Sequence, residues 1–304
     1  MAVPKVTVLL PTYNSSRYIL RSAQSILDQT LKDFEFIIID DGSQDDTLAK
    51  LQQLKDPRIR LISHKTNRGL IYSLNQGIEM AGGEYIARMD ADDLSLPKRL
   101  ERQVAYLDTH PDVGVLGGLM KWLHNRELIP KPVTHDGIRC WQLFHPCLCH
   151  PTVMMRTSVL QNHGFRYDEQ YKHAEDYELW ERLGQVTRLA NLPYCVLYYR
   201  SHEGQVSRQH RSIQEQSLKK VQYRQLRMIG ITPTEEEYTL HMQLGHFHVP
   251  VYHAESYETA VDWVGKVIRH NHDAKVYDAQ TLHSVLNRCL IYSGRLPEGV
   301  YESD

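Results

Sequence analysis

The chain has 304 residues, 41% of them hydrophobic, which is enough to bury a large core in one domain with an appended segment. Its 35 basic and 37 acidic residues give a formal net charge of −2, so no general field attracts nucleic acid or an anionic membrane. Five cysteines, an odd number in a chain of this size, indicate no disulfide framework and favour a reducing compartment.

The N-terminal apolar run is too short for a secretion signal, because it reaches Pro11 after a few residues. Nowhere do about 18 uncharged apolar residues follow one another, so the sequence predicts no membrane span. We therefore expect a soluble, cytoplasmic protein, with any membrane contact peripheral and at the inner face.

The first hundred residues alternate between short apolar runs and longer amphipathic runs. The runs KVTVLLPT, FEFIIIDDGS, IRLISH and GEYIARMD are largely apolar, as buried parallel strands are. Between them, SSRYILRSAQSILDQT, DDTLAKLQQL and LIYSLNQGIEMA read as helices, and LPKRLERQVAYLDTH reads as a helix with Pro97 in its first turn. This order predicts repeated βαβ units and hence an α/β fold with a doubly wound, mostly parallel sheet.

The second part of the chain is less regular. The strand-like runs DVGVLGG, PTVMMRT and CVLYYRSH surround the helix-like run AEDYELWERLG, which we interpret as the second half of the same domain. After about residue 209 the chain becomes charge-rich and helical. We therefore predict one domain over residues 1–209, with halves at about 1–118 and 119–209, and a helical C-terminal extension over residues 210–304.

Polar residues collect where the predicted strands end. The first strand runs into Pro11–Asn14, the second into Asp40–Ser43 and the fourth into Asp90–Asp93. The carboxyl ends of neighbouring parallel strands lie side by side, so one crevice would gather these groups. Clustered carboxylates suit Mg²⁺ or Mn²⁺, whose remaining ligands can be phosphate oxygens. Tyr13 is then placed to stack on a nucleobase and Asp41 to accept a hydrogen bond from it.

Four longer runs resemble a known family. VTVLLPTYNSSRYILRSAQSILDQT, FIIIDDGSQDDT, NRGLIYSLNQGIEMAGGEYIARMDADD and HAEDYELWERL resemble, in the correct order over about residues 3–209, the family 2 glycosyltransferases of the GT-A fold. The resemblance implies an inverting, metal-dependent enzyme that moves a sugar from a nucleoside diphosphate donor, most readily a UDP-sugar, to a hydroxyl of a glycan or glycolipid. It also implies a place in surface polysaccharide assembly.

The resemblance assigns roles to particular residues. The residues implied to bind the nucleotide sugar are Pro11, Thr12, Tyr13, Asn14, Asp40, Asp41, Arg68, Asp90, Ala91, Arg200 and His202. The metal ion, Mn²⁺ or Mg²⁺, would be held most directly by Asp92, with Asp90 and His202 as further ligands. The HAEDYELW run resembles the family's E-D motif, which supplies the general base. We expect Asp176 in that role, with Glu175 as second choice.

An inverting transfer needs carboxylates in two separate roles. One accepts the proton of the acceptor hydroxyl, and another holds the metal ion. The metal ion stabilises the departing diphosphate, so the leaving group needs no general acid. The sequence contains no Q-x-x-R-W motif, which the processive synthases of this family carry. That difference favours the addition of a single sugar over polymer extrusion.

Each motif also has a simpler interpretation. The acids at 90–93 alone would be a solvated turn that caps the next helix, with Asp93 as the cap. Asp40 and Asp41 would form an Asp-Gly turn with the following glycine, and the acids at 175–176 would only favour a helix N-terminus. Tyr13 would pack at the edge of the core. Only the joint occurrence of the motifs, in family order, favours the functional interpretation.

The run HPCLCHPT contains four residues that could be zinc ligands. They are His145, Cys147, Cys149 and His150. A C-x-C pair with adjacent histidines is crowded for tetrahedral zinc, so a buried strand on the acceptor side is the favoured interpretation.

Other functions remain as alternatives. A nucleotidyltransferase would want a glycine-rich loop after the first strand, where PTYNSSRY has no glycine, and a dinucleotide oxidoreductase would need the absent G-x-G-x-x-G. A non-catalytic subunit that binds a sugar nucleotide and recruits partners is the third alternative. The C-terminal helices would pair two copies of the chain, cover the acceptor groove or touch a membrane. The last is the weakest because those helices show no basic stripe.

Overall fold

The computed structural model describes residues 3–202, 210–246 and 254–293. The chain folds as two compact units. The first, here called the sheet unit, comprises residues up to 135 together with 148–217, and the second, the helical unit, comprises 136–147 and the chain from 218 onward. The predicted boundary at residue 209 lies outside the described residues.

Nine strands in the described residues form one sheet, in the order β3-β2-β1-β4-β8-β6-β9-β5, with β7 beside β6. The strands are β1 (Val6–Thr12), β2 (Phe34–Asp40), β3 (Ile59–Ser63), β4 (Tyr85–Arg88), β5 (Leu94–Ser95), β6 (Val113–Trp122), β7 (Leu128–Ile129), β8 (Met154–Arg156) and β9 (Arg188–Tyr199). The neighbours β3, β2, β1 and β4 are parallel, as are β6 and β9, whereas β8 runs antiparallel between β4 and β6. The sheet is therefore mixed, with a parallel half built from the first part of the chain.

The described helices are α1 (Ile19–Leu27), α2 (Thr47–Leu51), α3 (Leu70–Met80), α4 (Arg99–Thr109), α5 (His135–Trp141), α6 (Thr157–Asn162), α7 (Glu175–Leu183), α8 (Arg211–Met228), α9 (Glu235–His246), α10 (Ala254–Ala274) and α11 (Ala279–Ser293). Short 3₁₀ turns occupy His150–Thr152 and Glu169–Tyr171. None of these helices combines the length and apolarity that crossing a lipid bilayer requires.

The core of the sheet unit covers β1 on both faces. All seven β1 residues are buried, and Val6, Val8 and Leu10 belong to the main apolar cluster with the buried apolar residues of α1. On the other face α3 comes very close, because a Cβ added at Gly77 would lie 2.2 Å from the Leu9 side chain. Glycine at 77 therefore lets the helix contact the strand directly, and the run KVTVLLPT is the doubly covered central strand that its composition predicts.

The helical unit has its own apolar core. Its members include Phe144, Leu244, Val267 and Leu286, all nearly inaccessible to solvent. His241 lies among them: its Nε2 is 3.0 Å from the Leu143 carbonyl oxygen, and its Nδ1 accepts from the Trp263 indole at 3.3 Å. Burial lowers the pKa of His241 to about 4, so this histidine is a neutral, structural group.

Several elements differ from the sequence-based expectation. The helix expected to open at Pro97 begins at Arg99, with Lys98 as its N-cap. β9 starts at Arg188, well before the run CVLYYRSH that predicted it. Two short strands, β5 and β7, and two short helices, α5 and α6, were not predicted, because elements of two to seven residues leave too little periodicity to detect.

Candidate active site

The ends of the first, second and fourth strands lie next to one another. Thr12 at the end of β1 pairs with Asp40 at the end of β2, and Leu9 pairs with Arg88 at the end of β4. The chain beyond the strands continues this contact, since the Met89 amide donates to the Leu9 carbonyl at 3.0 Å. The three polar strand ends therefore meet at one edge of the sheet, where α/β proteins place their ligands.

Asp40 and Asp41 have different surroundings although both are buried. The Asp40 carboxylate accepts from the Ser63 hydroxyl at 3.2 Å and from the Ser43 amide at 3.4 Å. Asp41 instead points to the start of α3. Neither residue is explained by a turn alone, because both carboxylates are held by residues from other segments of the chain.

The Asp41 carboxylate caps α3. Its two oxygens accept from the Arg68 amide at 2.9 Å and the Gly69 amide at 2.8 Å, and one of them lies 2.6 Å from Nδ1 of His64. Helix N-termini leave such amides without internal partners, so the carboxylate satisfies them. An ionised carboxylate offers about four acceptor positions, so Asp41 retains room for a hydrogen bond from a ligand.

The loop after β2 depends on a glycine. Gly42 has φ +73°, and a Cβ added there would lie 2.6 Å from a backbone carbon of Thr66. The turn joins the loop after β1, because the Asn14 amide donates to the Ser43 hydroxyl at 2.9 Å and the Asn14 side chain accepts from the Gln44 amide at 2.8 Å. The two loops are therefore joined by hydrogen bonds beside the ends of β1 and β2.

The residues of LPTYN divide into buried and exposed groups. Pro11 and Thr12 are buried in β1, whereas Asn14 is exposed and Tyr13 keeps 42% of its surface in contact with solvent. Packing at the edge of the core does not account for a ring this exposed. Arg68 is also exposed, with its guanidinium carbon 3.4 Å from the centre of the Tyr72 ring.

Three carboxylates form a compact cluster after β4. One oxygen each from Asp90, Asp92 and Asp93 lies within 4.8 Å of the others, and no other such group of acids, histidines or cysteines occurs in the described part of the chain. Asp93 is fully buried, and burial together with the charges of Asp90 and Asp92 raises its pKa well above the usual value. Asp93 does not cap α4, since its side chain accepts from the Arg200 amide at 2.9 Å.

Residues from the end of β9 cover this cluster. Nε2 of His202 lies 2.8 Å from a carboxylate oxygen of Asp92, and Nε of Arg200 donates to the Asp92 carbonyl at 2.8 Å. The Tyr18 ring packs against both, with its centre 4.5 Å from the Arg200 guanidinium carbon and 5.2 Å from the His202 ring centre. The remainder of the run YYRSHEGQVS, from Glu203 onward, lies outside the described residues.

Burial and like charge also raise the pKa of Asp92, with burial as the larger cause and the Asp90 carboxylate as the second. Asp90 forms an ion pair with the buried side chain of Arg88. Ala91 between the acids is buried. The cluster therefore already holds one internal positive partner, which partly offsets the repulsion among its three carboxylates.

The second acidic group lies at the first turn of α7. Glu175 is only 6% exposed, and burial together with the Asp176 charge raises its pKa to about 7. Asp176 is less buried; one of its oxygens accepts from the Tyr177 amide at 2.8 Å, and burial raises its pKa as well. Both carboxyl groups therefore ionise less readily than a solvent-exposed acid does.

The run HPCLCHPT does not form a metal centre. Nδ1 of His145 lies 3.8 Å from Sγ of Cys147, whereas Nε2 of His150 lies 2.8 Å from the Tyr167 hydroxyl, and the four residues do not bring three ligand atoms together. No disulfide joins any of the five cysteines, all of which are among the described residues. Cys149 is buried, and burial raises the pKa of its thiol.

Sequence reasoning did not identify Arg88, Tyr18, His64 or the full role of Asp93. Arg88 carries a detectable signal, because a charge within an otherwise buried strand requires an opposite charge nearby. Tyr18 and His64 carry none, since their contacts depend on how separate loops meet.

Similarity to known proteins agrees with this geometry. Residues 7–164, just over half of the chain, match the family described as Glycosyl transferase family 2. An uncharacterized glycosyltransferase of Haemophilus influenzae is 34% identical over 232 residues, which cover 72% of each chain. The O-antigen biosynthesis glycosyltransferase WbnJ of Escherichia coli is 34% identical over 209 residues, 65% of this chain and 80% of WbnJ.

Solved structures share the fold. S. aureus TarS 1-349 in complex with UDP-GlcNAc has 21% identity and a TM-score of 0.62, over 93% of this chain and 90% of that chain. The mannosyltransferase PcManGT from Pyrobaculum calidifontis, in complex with GDP-Man and Mn²⁺, has 17% identity and a TM-score of 0.59, over 96% of this chain and 86% of that chain.

These findings define an α/β protein of the GT-A type with a mostly parallel sheet and C-terminal helices, which confirms the predicted fold class. The chain belongs to glycosyl transferase family 2. It is therefore a glycosyltransferase, as the sequence motifs predicted, and it has relatives in polysaccharide biosynthesis.

Proposed function

We propose that the chain is an inverting, metal-dependent glycosyltransferase that moves a single sugar from a nucleoside diphosphate sugar to a hydroxyl of a glycan or glycolipid acceptor. UDP is the expected nucleotide, and surface polysaccharide biosynthesis the expected setting. The observation that carries the proposal is the presence of two unlike acidic groups in the sheet unit: a compact cluster at Asp90, Asp92 and Asp93, and the Glu175–Asp176 pair.

The acidic cluster fits a hard divalent cation such as Mn²⁺ or Mg²⁺. All its candidate ligand atoms are carboxylate oxygens, which these ions prefer. The second oxygen of Asp93 is buried with no hydrogen-bond partner among the described residues, an arrangement that favours a cation or a proton nearby. Asp92 and Asp90 would hold the ion, and His202 would ligate it or orient Asp92. The bound cation supplies charge neutralisation at the departing diphosphate.

The nucleoside would lie at the edge formed by β1 and β2. The exposed ring of Tyr13 offers a stacking surface, and Asp41 offers its remaining acceptor position to the base. Arg200, stacked on Tyr18 above the acidic cluster, is placed to bind phosphate oxygens. Arg68 at the start of α3 is the second cationic side chain assigned to the nucleotide sugar.

The general base is Asp176. A base must be ionised to accept the hydroxyl proton, and burial raises the pKa of Glu175 to about 7 and raises that of Asp176 as well. Asp176 is the more accessible of the two, because only part of its surface is buried. In this arrangement Asp176 accepts the proton, and Glu175, protonated at lower pH, controls the net charge of the pair.

Two similar proteins support the donor class and the setting. TarS is solved with UDP-GlcNAc, and WbnJ is described by its role in O-antigen biosynthesis. PcManGT is solved with Mn²⁺ and GDP-Man, so the nucleotide itself requires a direct test. The predicted cytoplasmic location and the predicted pairing of two copies through the C-terminal helices remain predictions.

The test is a donor panel. The purified chain, with Mn²⁺ and a glycolipid acceptor, is incubated with UDP-, GDP- and dTDP-sugars while nucleotide release and product are measured. We expect release with a UDP-sugar, its loss when EDTA removes the metal, and inverted anomeric configuration in the product by proton NMR. Retained configuration, or release that EDTA leaves unchanged, would contradict the proposal.

The same experiment distinguishes the non-catalytic alternative. A sugar-nucleotide-binding subunit would bind UDP, measured by calorimetry, but would release no nucleotide from any donor. Intact carboxylates in both acidic groups argue against that outcome, because a scaffold has no need of a proton acceptor.

A further inference from the structure

The C-terminal end of β6 lies at the same edge of the sheet as the acidic cluster. β8 is antiparallel to both β4 and β6, so β6 runs in the direction of β4 and ends at the edge where β4 ends. The last residue of β6 is Trp122. In the strand order, β1 and β2 lie on one side of β4, whereas β6 and β9 lie on the other. The candidate nucleoside site and Trp122 are therefore on opposite sides of the strand that leads into the acidic cluster.

Cross-strand pairing places Trp122 near that cluster. Trp122 is the register partner of Tyr199 in the parallel pair β6 and β9. β5 starts one residue after Asp93, and its antiparallel register with β9 sets Asp93 opposite Tyr199. Neighbouring strands lie about 4.8 Å apart, so two spacings, ~10 Å, separate the backbone of Trp122 from that of Asp93. A sugar ring fits within this span.

The Trp122 ring is held in place from both sides. The Trp122 amide donates to the Glu127 carbonyl at 3.0 Å, within the hairpin of β6 and β7. On the side of β9, the Leu123 amide donates to the Tyr199 carbonyl at 2.7 Å. The indole meets the Tyr199 ring edge to face, with ring centres 5.3 Å apart, and Tyr199 in turn packs on the main apolar cluster. The indole is nevertheless only half-buried, so part of a fixed aromatic surface remains in contact with solvent.

The turn between β6 and β7 borders this ring with polar groups. The exposed residues of the turn are His124, Asn125, Arg126 and Glu127. The His124 ring centre lies 5.9 Å from that of Trp122, and the Asn125 side chain braces the turn by accepting from the Glu127 amide at 3.0 Å. A pyranose has apolar C–H faces that pack on aromatic rings, and hydroxyls around its edge that need hydrogen-bond partners. An aromatic ring bordered by polar groups therefore matches a carbohydrate.

We propose that Trp122, supported by Tyr199, binds the acceptor sugar by stacking on one face of its ring, with His124 at the edge of the sugar. The inference rests on the proposed function, which requires a glycan acceptor but does not locate it. The order along the sheet favours the acceptor over the donor: the nucleoside is proposed at β1 and β2, the diphosphate at the cluster after β4, and Trp122 lies beyond both. A hydroxyl of the bound sugar then approaches the donor from the side away from the nucleotide, as an inverting attack requires.

The first test detects binding without turnover. Methyl glycosides of glucose, galactose, mannose and N-acetylglucosamine are titrated, with UDP and Mg²⁺ present, into isotope-labelled protein while the indole N–H signals are followed by NMR. We expect the Trp122 signal, identified by its loss in Trp122→Phe, to shift with at least one glycoside, whereas the signal of the buried Trp263 stays fixed. A Trp122 signal that no glycoside shifts overturns the inference.

The second test separates acceptor from donor. In Trp122→Ala we expect KM for the glycolipid acceptor to rise about ten-fold, while kcat and KM for the donor stay close to the wild type, because one aromatic contact is lost. Trp122→Phe keeps an aromatic face and should restore most of the affinity. Tyr194→Ala is the matched control, since it removes an exposed ring of β9 whose centre lies 4.7 Å from the Arg102 guanidinium carbon. A rise in KM for the donor alone would assign Trp122 to the donor sugar and overturn the inference.

The outcomes distinguish this inference from the proposed function. If no donor releases nucleotide but a methyl glycoside still shifts the Trp122 signal, the sugar site at Trp122 stands and the proposed transfer fails. If the wild type transfers sugar while Trp122→Ala leaves KM for the acceptor unchanged, the transfer stands and the sugar site at Trp122 fails.

Discussion

The two acidic groups of the sheet unit contain the same chemical function in different surroundings. The cluster after β4 is surrounded by positive or donating partners: Arg88 at Asp90, His202 at Asp92 and the Arg200 amide at Asp93. In the pair at the start of α7, burial is the main cause that raises both pKa values, and the Asp176 charge further raises that of Glu175. In the proposed function, these different surroundings give one functional group two roles: oxygens that hold a cation, and a carboxylate that accepts a proton.

The largest effect is expected when a carboxylate is removed from the cluster, which tests whether the cluster holds the metal. In Asp92→Asn we expect transfer to fall by about 10⁴-fold, because several kcal/mol of charge stabilisation at the diphosphate are lost. UDP binding, measured by calorimetry, should also lose its dependence on Mn²⁺. Asp33→Asn, at an exposed position, is the matched control and should remain active. Mn²⁺-dependent UDP binding that survives in Asp92→Asn would show that the metal is held elsewhere.

The second largest effect is expected when the proposed general base is removed. Asp176→Asn should reduce the rate of transfer by ~10² to 10⁴-fold, the usual cost of losing a general base. UDP and Mn²⁺ binding should be unchanged, because Asp176 belongs to the other acidic group. Glu169→Gln, an exposed acid just before α7, serves as the control. If Glu175→Gln abolishes transfer and Asp176→Asn does not, the assignment of the two residues is reversed.

The third prediction concerns pH and stability, and it tests the statement that burial dominates at α7. The pKa of Glu175 rises from its ordinary 4.5 to about 7 in the folded protein. Between these values the folded state binds more protons than the unfolded state, so the free energy of unfolding falls as pH rises through this range. Burying the ionised carboxyl at higher pH costs at most about 3 kcal/mol.

Glu175→Gln removes this titration. We therefore expect the wild type to lose stability between about pH 5 and about pH 8, and the variant to lose less, when both are unfolded with urea. The difference between the two curves should vanish toward the lower pH, where Glu175 is protonated. Parallel curves for the two proteins would mean that Glu175 is not buried as a neutral acid.

The smallest expected effect is that of His202. In His202→Asn the affinity for Mn²⁺ alone should fall about ten-fold, since the imidazole lies 2.8 Å from Asp92 and holds or assists this ligand. Mn²⁺ titration followed by electron paramagnetic resonance measures the change. His110→Asn replaces an exposed histidine at the end of α4 and should have no effect. An unchanged affinity in His202→Asn would limit His202 to the phosphate side.

The sequence predicted the parallel half of the sheet well, because β1, β2 and β4 are continuous apolar runs that end in acids or turns. The rule that the carboxyl ends of neighbouring parallel strands lie side by side was enough to predict that Asp40, Asp41 and the acids at 90–93 lie at one edge of the sheet. His202 and Asp92 are 110 positions apart and lie in contact. Only the family resemblance indicated that His202 belongs to the same site. The short elements β5 and β7 are too brief to show a period, and β9 starts earlier than its most apolar run.

The parts of the site that were missed have different physical causes. Arg88 ends a strand that is otherwise apolar, and the reading of that strand as buried did not ask which opposite charge its arginine requires. Asp93 was assigned to a helix cap because the helix was expected at Pro97, and it begins at Arg99. Tyr18 contacts Arg200 and His202 only because distant loops converge, which no local periodicity encodes.

The bond between Asp41 and the start of α3 has one further consequence. The carboxylate that would meet a nucleobase is already immobilised by two backbone amides and by His64, so its orientation is fixed before any ligand arrives. Preorganisation of this kind lowers the conformational entropy lost on association. A shorter or uncharged side chain in place of Asp41 would therefore destabilise the start of α3 and also weaken the binding of the ligand, and these two losses of free energy would be thermodynamically coupled.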